Sequence, residues 1–171
     1  GTLVPIFHGV KYSELDQKRN LGIAYIALSQ REEGVDHARQ YVNQGVAMLR
    51  DCWQAGLRDV ELAKNLAEVS LTTGAVDAGE FARFVLAQEE MTGKQRVSAL
   101  LVMATEHLKK RDFSGAVKRM REVTRLRRNA DDWEYLGQYE AAAGNRQEAI
   151  EAIRKAIEID PARAERLQLP E

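Results

Sequence analysis

The residues able to do chemistry are few and scattered along the chain. Histidine occurs at His8, His37 and His107, and no two share the i, i+4 spacing with which paired histidines on a helix hold a metal ion. They read as isolated polar residues. The single cysteine, Cys52, forbids an internal disulfide and supplies no metal cage alone. It lies on an apolar-rich segment without a neighbouring histidine to activate it, which is the setting of a buried packer. Adjacent carboxylates at Glu89-Glu90 and Asp131-Asp132 fall at segment ends, where acids complement a helix dipole or are solvated. A glycine-rich phosphate loop, a nucleophile elbow and a Cys-x-x-Cys pair are all missing. These residues assemble no catalytic constellation, so the expectation is a non-enzyme with no metal and no cofactor.

Charge offers a second chemistry. The run KKRDFSGAVKRMREVTRLRR, Lys109 to Arg128, carries nine basic residues against Asp112 and Glu122. Such a helix could hold RNA, DNA or an acidic protein segment. Against that, Asp131, Asp132 and Glu134 follow closely and can pair with the arginines, and a series of aromatic stacking platforms is missing. The whole chain has a formal net charge of −1, so bulk electrostatics do not attract polyanions. A solvated or internally paired face is the favoured reading, and a nucleic-acid partner is disfavoured.

The elements that must position these residues are helical. A chain of 171 residues is long enough for one domain or a short repeat array. Its three prolines lie near the ends, and Ala, Leu, Arg and Glu dominate. No apolar run approaches the roughly 20 residues of a membrane span, and no signal peptide is visible. A soluble protein, cytoplasmic or periplasmic, is expected, with no membrane partner. The first residue is Gly, so Gly1-Thr2 reads as an engineered scar or the start of an excised piece.

After an irregular lead over residues 1–12, amphipathic segments alternate with turn signals. Ser13 and Asp16 resemble a helix start, and Leu21, Ile23, Ile26 and Ala27 follow. REEGVD, Ala55-Gly56 and Thr72-Thr73-Gly74 separate the next helices, the second ending near Trp53 and the fourth spanning about Ala78 to Gln88. Four clearer segments cover Gln95–Lys110, Phe113–Leu126, Asp131–Ala143 and Arg146–Ile159. Each returns an apolar residue every three or four positions, and none alternates with period two. Eight helices and no strands are expected.

The last four segments repeat. An offset of 33 residues lays Ala116, Met120 and Val123 over Ala149, Ile153 and Ala156. The same offset lays Leu100, Met103 and Ala104 over Trp133, Leu136 and Gly137. The final unit, Trp133-x2-Leu136-Gly137, then Ala149-x3-Ile153, Ala156 and Pro161, resembles a tetratricopeptide repeat (TPR). It departs at Glu140, where the pattern has tyrosine, with Tyr139 one place early. Leu21-Gly22-x2-Tyr25 with Ala38-x3-Val42 gives a first unit with a longer turn, while residues 59–88 fit by apolar rhythm alone. Gly137 and Ala149 are then small because two helices cross there, Gly144-Asn145 turns the chain, and Pro161 stops the last helix.

The resemblance implies an all-α right-handed α-solenoid of about four antiparallel helical hairpins over residues 13–161, with 162–171 a short tail or partial capping helix. It places the basic helix on the convex side. It also implies a concave groove lined by the first helix of each hairpin. Groove positions would be Arg19, Asn20 and Ile23; Lys64 and Ala67; Val102, Thr105 and Lys109; and Glu134, Tyr135 and Gln138. Family members that bind acidic chaperone tails use a Lys/Asn/Arg clamp, but Ile23, Val102 and Thr105 stand at the clamp positions here, which argues against that ligand. The implied function is a non-catalytic scaffold that holds a peptide or helix of an unidentified protein, as a domain of a larger bacterial protein. Weak self-association is expected from the short C-terminal end. An alternative is polyanion binding through Lys109–Arg128. Another is an accessory array on an enzymatic or redox protein, because NLGIAYIAL faintly resembles TPR segments attached to multihaem cytochrome modules.

Overall fold

The computed structural model describes residues 3–168. Among them are eight α-helices: α1 Leu3–Ser29, α2 Val35–Gln54, α3 Val60–Thr73, α4 Ala78–Leu86, α5 Gly93–Lys109, α6 Phe113–Leu126, α7 Ala130–Ala142 and α8 Arg146–Ile159. A 3₁₀ turn, Pro161–Glu165, follows α8. No strand occurs among the described residues. Helices pair as successive hairpins, α1 with α2, α3 with α4, α5 with α6 and α7 with α8, and each hairpin packs on the next.

Local chemistry sets most boundaries. The Asp59 carboxylate accepts from the Leu62 amide at 2.7 Å and starts α3. Thr92 and Gln95 form a reciprocal capping box at the head of α5. Asp112 caps α6 by accepting from the Gly115 amide, and Asn129 caps α7 by accepting from the Asp131 amide. Gly144 turns the chain after α7 in the left-handed conformation, φ +85°. At the matching place one repeat earlier stands Arg111, the described non-glycine residue with positive φ, at +57°.

The irregular lead expected over residues 1–12 is not what the structure shows: α1 already begins at Leu3, and Ser13 lies inside it. Pro5 falls in the first turn, where an amide has no intrahelical acceptor to lose, so it does not delay the helix. Residues 1 and 2 lie outside the described residues.

Two apolar clusters share α5. One joins Leu49, Cys52, Leu62, Leu66, Phe81 and Val85 to Ala99, Val102 and Met103. The other joins Leu100 and Ala104 to Met120, Val123, Leu136 and Ala152. Within the last hairpin, a Cβ on Gly137 would sit 2.7 Å from Ile153 Cδ1 and 3.2 Å from the Ala149 carbonyl, so this is the close crossing that the repeat pattern implies. In the first hairpin the crossing is displaced. Gly22 faces Gly45 and Leu49, not Ala38 and Val42, and a Cβ on Gly45 would lie 2.7 Å from the Gly22 carbonyl. The small-x3-large pair recurs one heptad later than expected, because α1 and α2 are longer than the helices of the last unit.

The sparsest contact between neighbouring hairpins joins α2 to α3. Polar and aromatic pins reinforce it. Arg19 reaches Asp59 at 2.8 Å, and Arg50 grips both oxygens of Asp77 at 2.6 and 3.1 Å. Trp53 stands edge-on to Phe81 and Phe84, with centroids 5.2 and 5.1 Å away, and Arg58 stacks 3.8 Å over its ring.

Candidate functional site

A groove of about 1110 Å³ runs across the first helices of three hairpins, α3, α5 and α7. Lys64, Glu68, Leu71 and Thr72 come from α3; Lys94, Val97, Ser98, Leu101, Val102 and Thr105 from α5; Tyr135 and Tyr139 from α7. Thr92 and Gly93 stand at the head of α5, while Met120, Leu126 and Arg127 close one side. The spacing of four on each helix (64 and 68, 97 and 101, 135 and 139) places these residues on one face.

Its floor is apolar and its rim carries charge. Tyr135 and Tyr139 stack with centroids 6.2 Å apart, and Tyr135 is 47% exposed. Burial and the neighbouring Tyr135 push the Tyr139 phenol above its ordinary pKa. Lys64 lies 3.6 Å from Glu68 and 3.8 Å from Glu61. Arg127 makes a two-pronged pair with buried Asp132, at 2.7 and 2.8 Å. Lys94 forms no ion pair among the described residues.

Of the residues expected in the groove, Lys64, Thr105, Tyr135 and Val102 line it together. The others stand elsewhere. Arg19 pins α1 to the start of α3 through Asp59 and also meets Asp16 at 3.2 Å. Asn20 accepts from Arg19 Nε at 3.2 Å. Ile23 packs on the first cluster, and Ala67 is fully buried within it. Lys109 is exposed and pairs with Glu106 at 3.2 Å. Gln138 borders a separate pocket of about 590 Å³ at the C-terminal end, with Ile150, Ile153 and Leu167.

Glu134 departs most from expectation. Arg166 grips both its oxygens at 2.6 and 2.8 Å, and Arg163 adds a bond at 2.7 Å. These guanidinium bonds hold its carboxyl down at about 2. Glu134 therefore clasps the C-terminal turn and does not line the groove. The expected tail is this 3₁₀ turn, drawn onto α7 by Arg163 and Arg166; residues 169–171 lie outside the described residues.

Sequence reading missed Tyr139, Leu101 and Lys94. Tyr139 had a signal: the repeat pattern wants tyrosine at position 140, and Glu140 stands there, 1% exposed. Arg121 and Asn145 satisfy its carboxylate, at 3.0 Å from Arg121 Nε and 2.7 Å from Asn145 Nδ2. The polar pair fills the scaffold slot, and the aromatic ring one place earlier faces the groove.

The other reactive side chains are engaged in packing and pairing. Cys52 is wholly buried, and burial pushes its thiol pKa up. His107 Nδ1 lies 2.8 Å from Asp112, whose carboxyl is held low first by the Gly115 amide and then by this histidine. In the basic run, Arg121 and Arg127 are paired to Glu140 and Asp132. Among the described residues, Lys110, Arg111, Lys118, Arg119, Arg125 and Arg128 form no ion pair.

Comparison with known proteins supports the architecture. A family model, "Tetratricopeptide repeat", matches residues 130–163. No curated protein matches the sequence significantly. A structure titled "MamA AMB-1 C2221" is similar, with TM-score 0.66 and 22% identity over 85% of this chain and 78% of that one. "Crystal structure of MamA" gives 0.62 and 19% over 72% and 71%. YrrB, titled a TPR protein with an unusual peptide-binding site, gives 0.61 and 18% over 91% and 97%. At these identities the likeness concerns the fold. With a tetratricopeptide repeat matched at 130–163 and stacked helical hairpins before it, the chain folds as an all-α helical repeat solenoid like those of these structures.

Proposed function

We propose that this chain is a non-catalytic protein-interaction scaffold that holds a peptide or helix of a partner in the groove across α3, α5 and α7. The observation that carries the reading is the groove itself. It is open, apolar at its floor and charged at its rim, and three successive repeats build it. At about 1110 Å³ it exceeds the range of about 300–1,000 Å³ common for small-molecule sites, which favours a macromolecular segment. The peptide site named for the similarly folded YrrB agrees with this use of the fold.

A pull-down from source-cell extract tests the proposal, comparing the parent chain with Tyr135→Ala/Tyr139→Ala and with Lys118→Glu/Arg125→Glu. A protein partner retained at moderate salt, lost with the tyrosines and kept with the charge reversals is the expected result. Nucleic acid that washes off with salt and follows the charge reversals would replace the groove with the basic helix.

A further inference from the structure

We infer that the occupant of the groove is an amphipathic α-helix with an acidic edge, not an extended strand; this rests on the reading of the groove as a partner site. An extended peptide arrives with its backbone N–H and C=O groups unpaired. A site that holds one must offer donors and acceptors along its length. The lining here includes no Asn, Gln, His or Asp. Its serine and threonine hydroxyls are engaged within the protein, which leaves the Tyr135 and Tyr139 phenols, side by side on α7, as the hydroxyls without a partner among the described residues. Thr72 Oγ1 donates to the Glu68 carbonyl at 2.9 Å, Thr105 Oγ1 to the Leu101 carbonyl at 3.1 Å, and Ser98 Oγ to the Glu68 carboxylate. Thr92 Oγ1 accepts from the Gln95 amide at 3.1 Å. A helix brings its backbone bonds with it and asks the groove only for apolar contact.

Size and charge agree. A helix about 10 Å across takes on the order of 120 Å³ per residue at a rise of about 1.5 Å. A groove of about 1110 Å³ therefore accommodates roughly two and a half turns. Two turns present apolar side chains at i, i+3 or i+4, and i+7, which Leu71, Leu101 and the Tyr135–Tyr139 pair can receive. The lining has three cations, Lys64, Lys94 and Arg127, against one carboxylate, Glu68. Lys94 is the cation among them without a carboxylate partner among the described residues. It stands in the first turn of α5, where the helix dipole adds positive potential. An Asp or Glu on the edge of the incoming helix complements that corner.

Panning a library of random 16-residue peptides on the full chain tests this, with counter-panning on Tyr135→Ala/Tyr139→Ala. Circular dichroism first establishes that the variants keep the parent's helix content and thermal transition. The expected tyrosine-dependent peptides carry Leu, Ile or Phe at i, i+4 and i+7 with Asp or Glu between them. A synthetic copy gains helical dichroism on binding and loses at least tenfold in affinity with a central proline. It also binds Lys94→Glu about fivefold more weakly at low salt, a variant at an exposed side chain that does not burden folding. Tyrosine-dependent peptides that tolerate proline, or that are basic, overturn the helix inference and leave the groove as the site. Recovery of no tyrosine-dependent peptide overturns both.

Discussion

Glu140 stands where the repeat pattern carries tyrosine, and the exchange decides what Tyr139 does. With 1% of its surface exposed, Glu140 depends on Arg121 and Asn145 to satisfy its charge. Glu140→Ala leaves both donors without their acceptor. Because Arg121 is half exposed and can turn to water, the cost is about 1–2 kcal/mol, below that of severing a fully buried pair. Denaturant unfolding reads it directly. Arg111 gives the opposite case. Its φ of +57° places a residue with a Cβ where the next repeat uses Gly144. Relief of the left-handed conformation outweighs the added freedom of glycine in the unfolded chain, so Arg111→Gly should stabilise by about 0.5–1 kcal/mol. An unchanged or lower unfolding midpoint would contradict this.

Between elements, stability is a chain of neighbour contacts, and the α2–α3 junction is the thin link. Trp53 of α2 reinforces it by packing edge-on to Phe81 and Phe84 of α4, in the same neighbouring hairpin. Trp53→Ala should cost about 3 kcal/mol at that junction. Amide protection in α1 and α2 should then fall about a hundredfold, with α7 and α8 changed little; a uniform fall across all helices would show that the array unfolds as one unit. The C-terminal turn has its own switch in Glu134. A carboxyl lowered from about 4.5 to about 2 contributes stability that is fully present above its unfolded value and is lost as pH falls through its folded value. The clasp to Arg163 and Arg166 should therefore release between about pH 4.5 and 2, seen as loss of the slowly exchanging Arg163 and Arg166 Nη–H signals. Glu134→Gln should remove that acid transition. Repeat spacing made α5 to α8 legible to within a residue or two, since Gly137, Ala149 and Ile153 fit one crossing. The first hairpin was less so. Ala38-x3-Val42 and Gly45-x3-Leu49 are the same pattern one heptad apart, and only packing against Gly22 chooses between them.

For the whole molecule, the formal net charge of −1 hides a separation of roles. Arg121 and Arg127 of the basic run hold α6 to α7, while Lys118, Arg119 and Arg125 form no ion pair among the described residues. Of the acids at 131, 132 and 134 expected to pair with the run, Asp132 does so, while Asp131 and Glu134 serve the C-terminal turn. The groove was legible as a set of first helices but only partly as residues. Lys64, Thr105 and Tyr135 meet in it, whereas the position of Tyr139 depended on a buried ion pair that spacing cannot reveal. The central claim is that the face of α3, α5 and α7 is the working surface. A photo-crosslinking residue placed at Leu101 in the groove, and separately at Lys118 on the basic helix, tests it most directly in source cells. A discrete protein adduct from position 101 and none from 118 is the expected result. Adducts from 118 alone would place the partner on the basic helix and contradict the account.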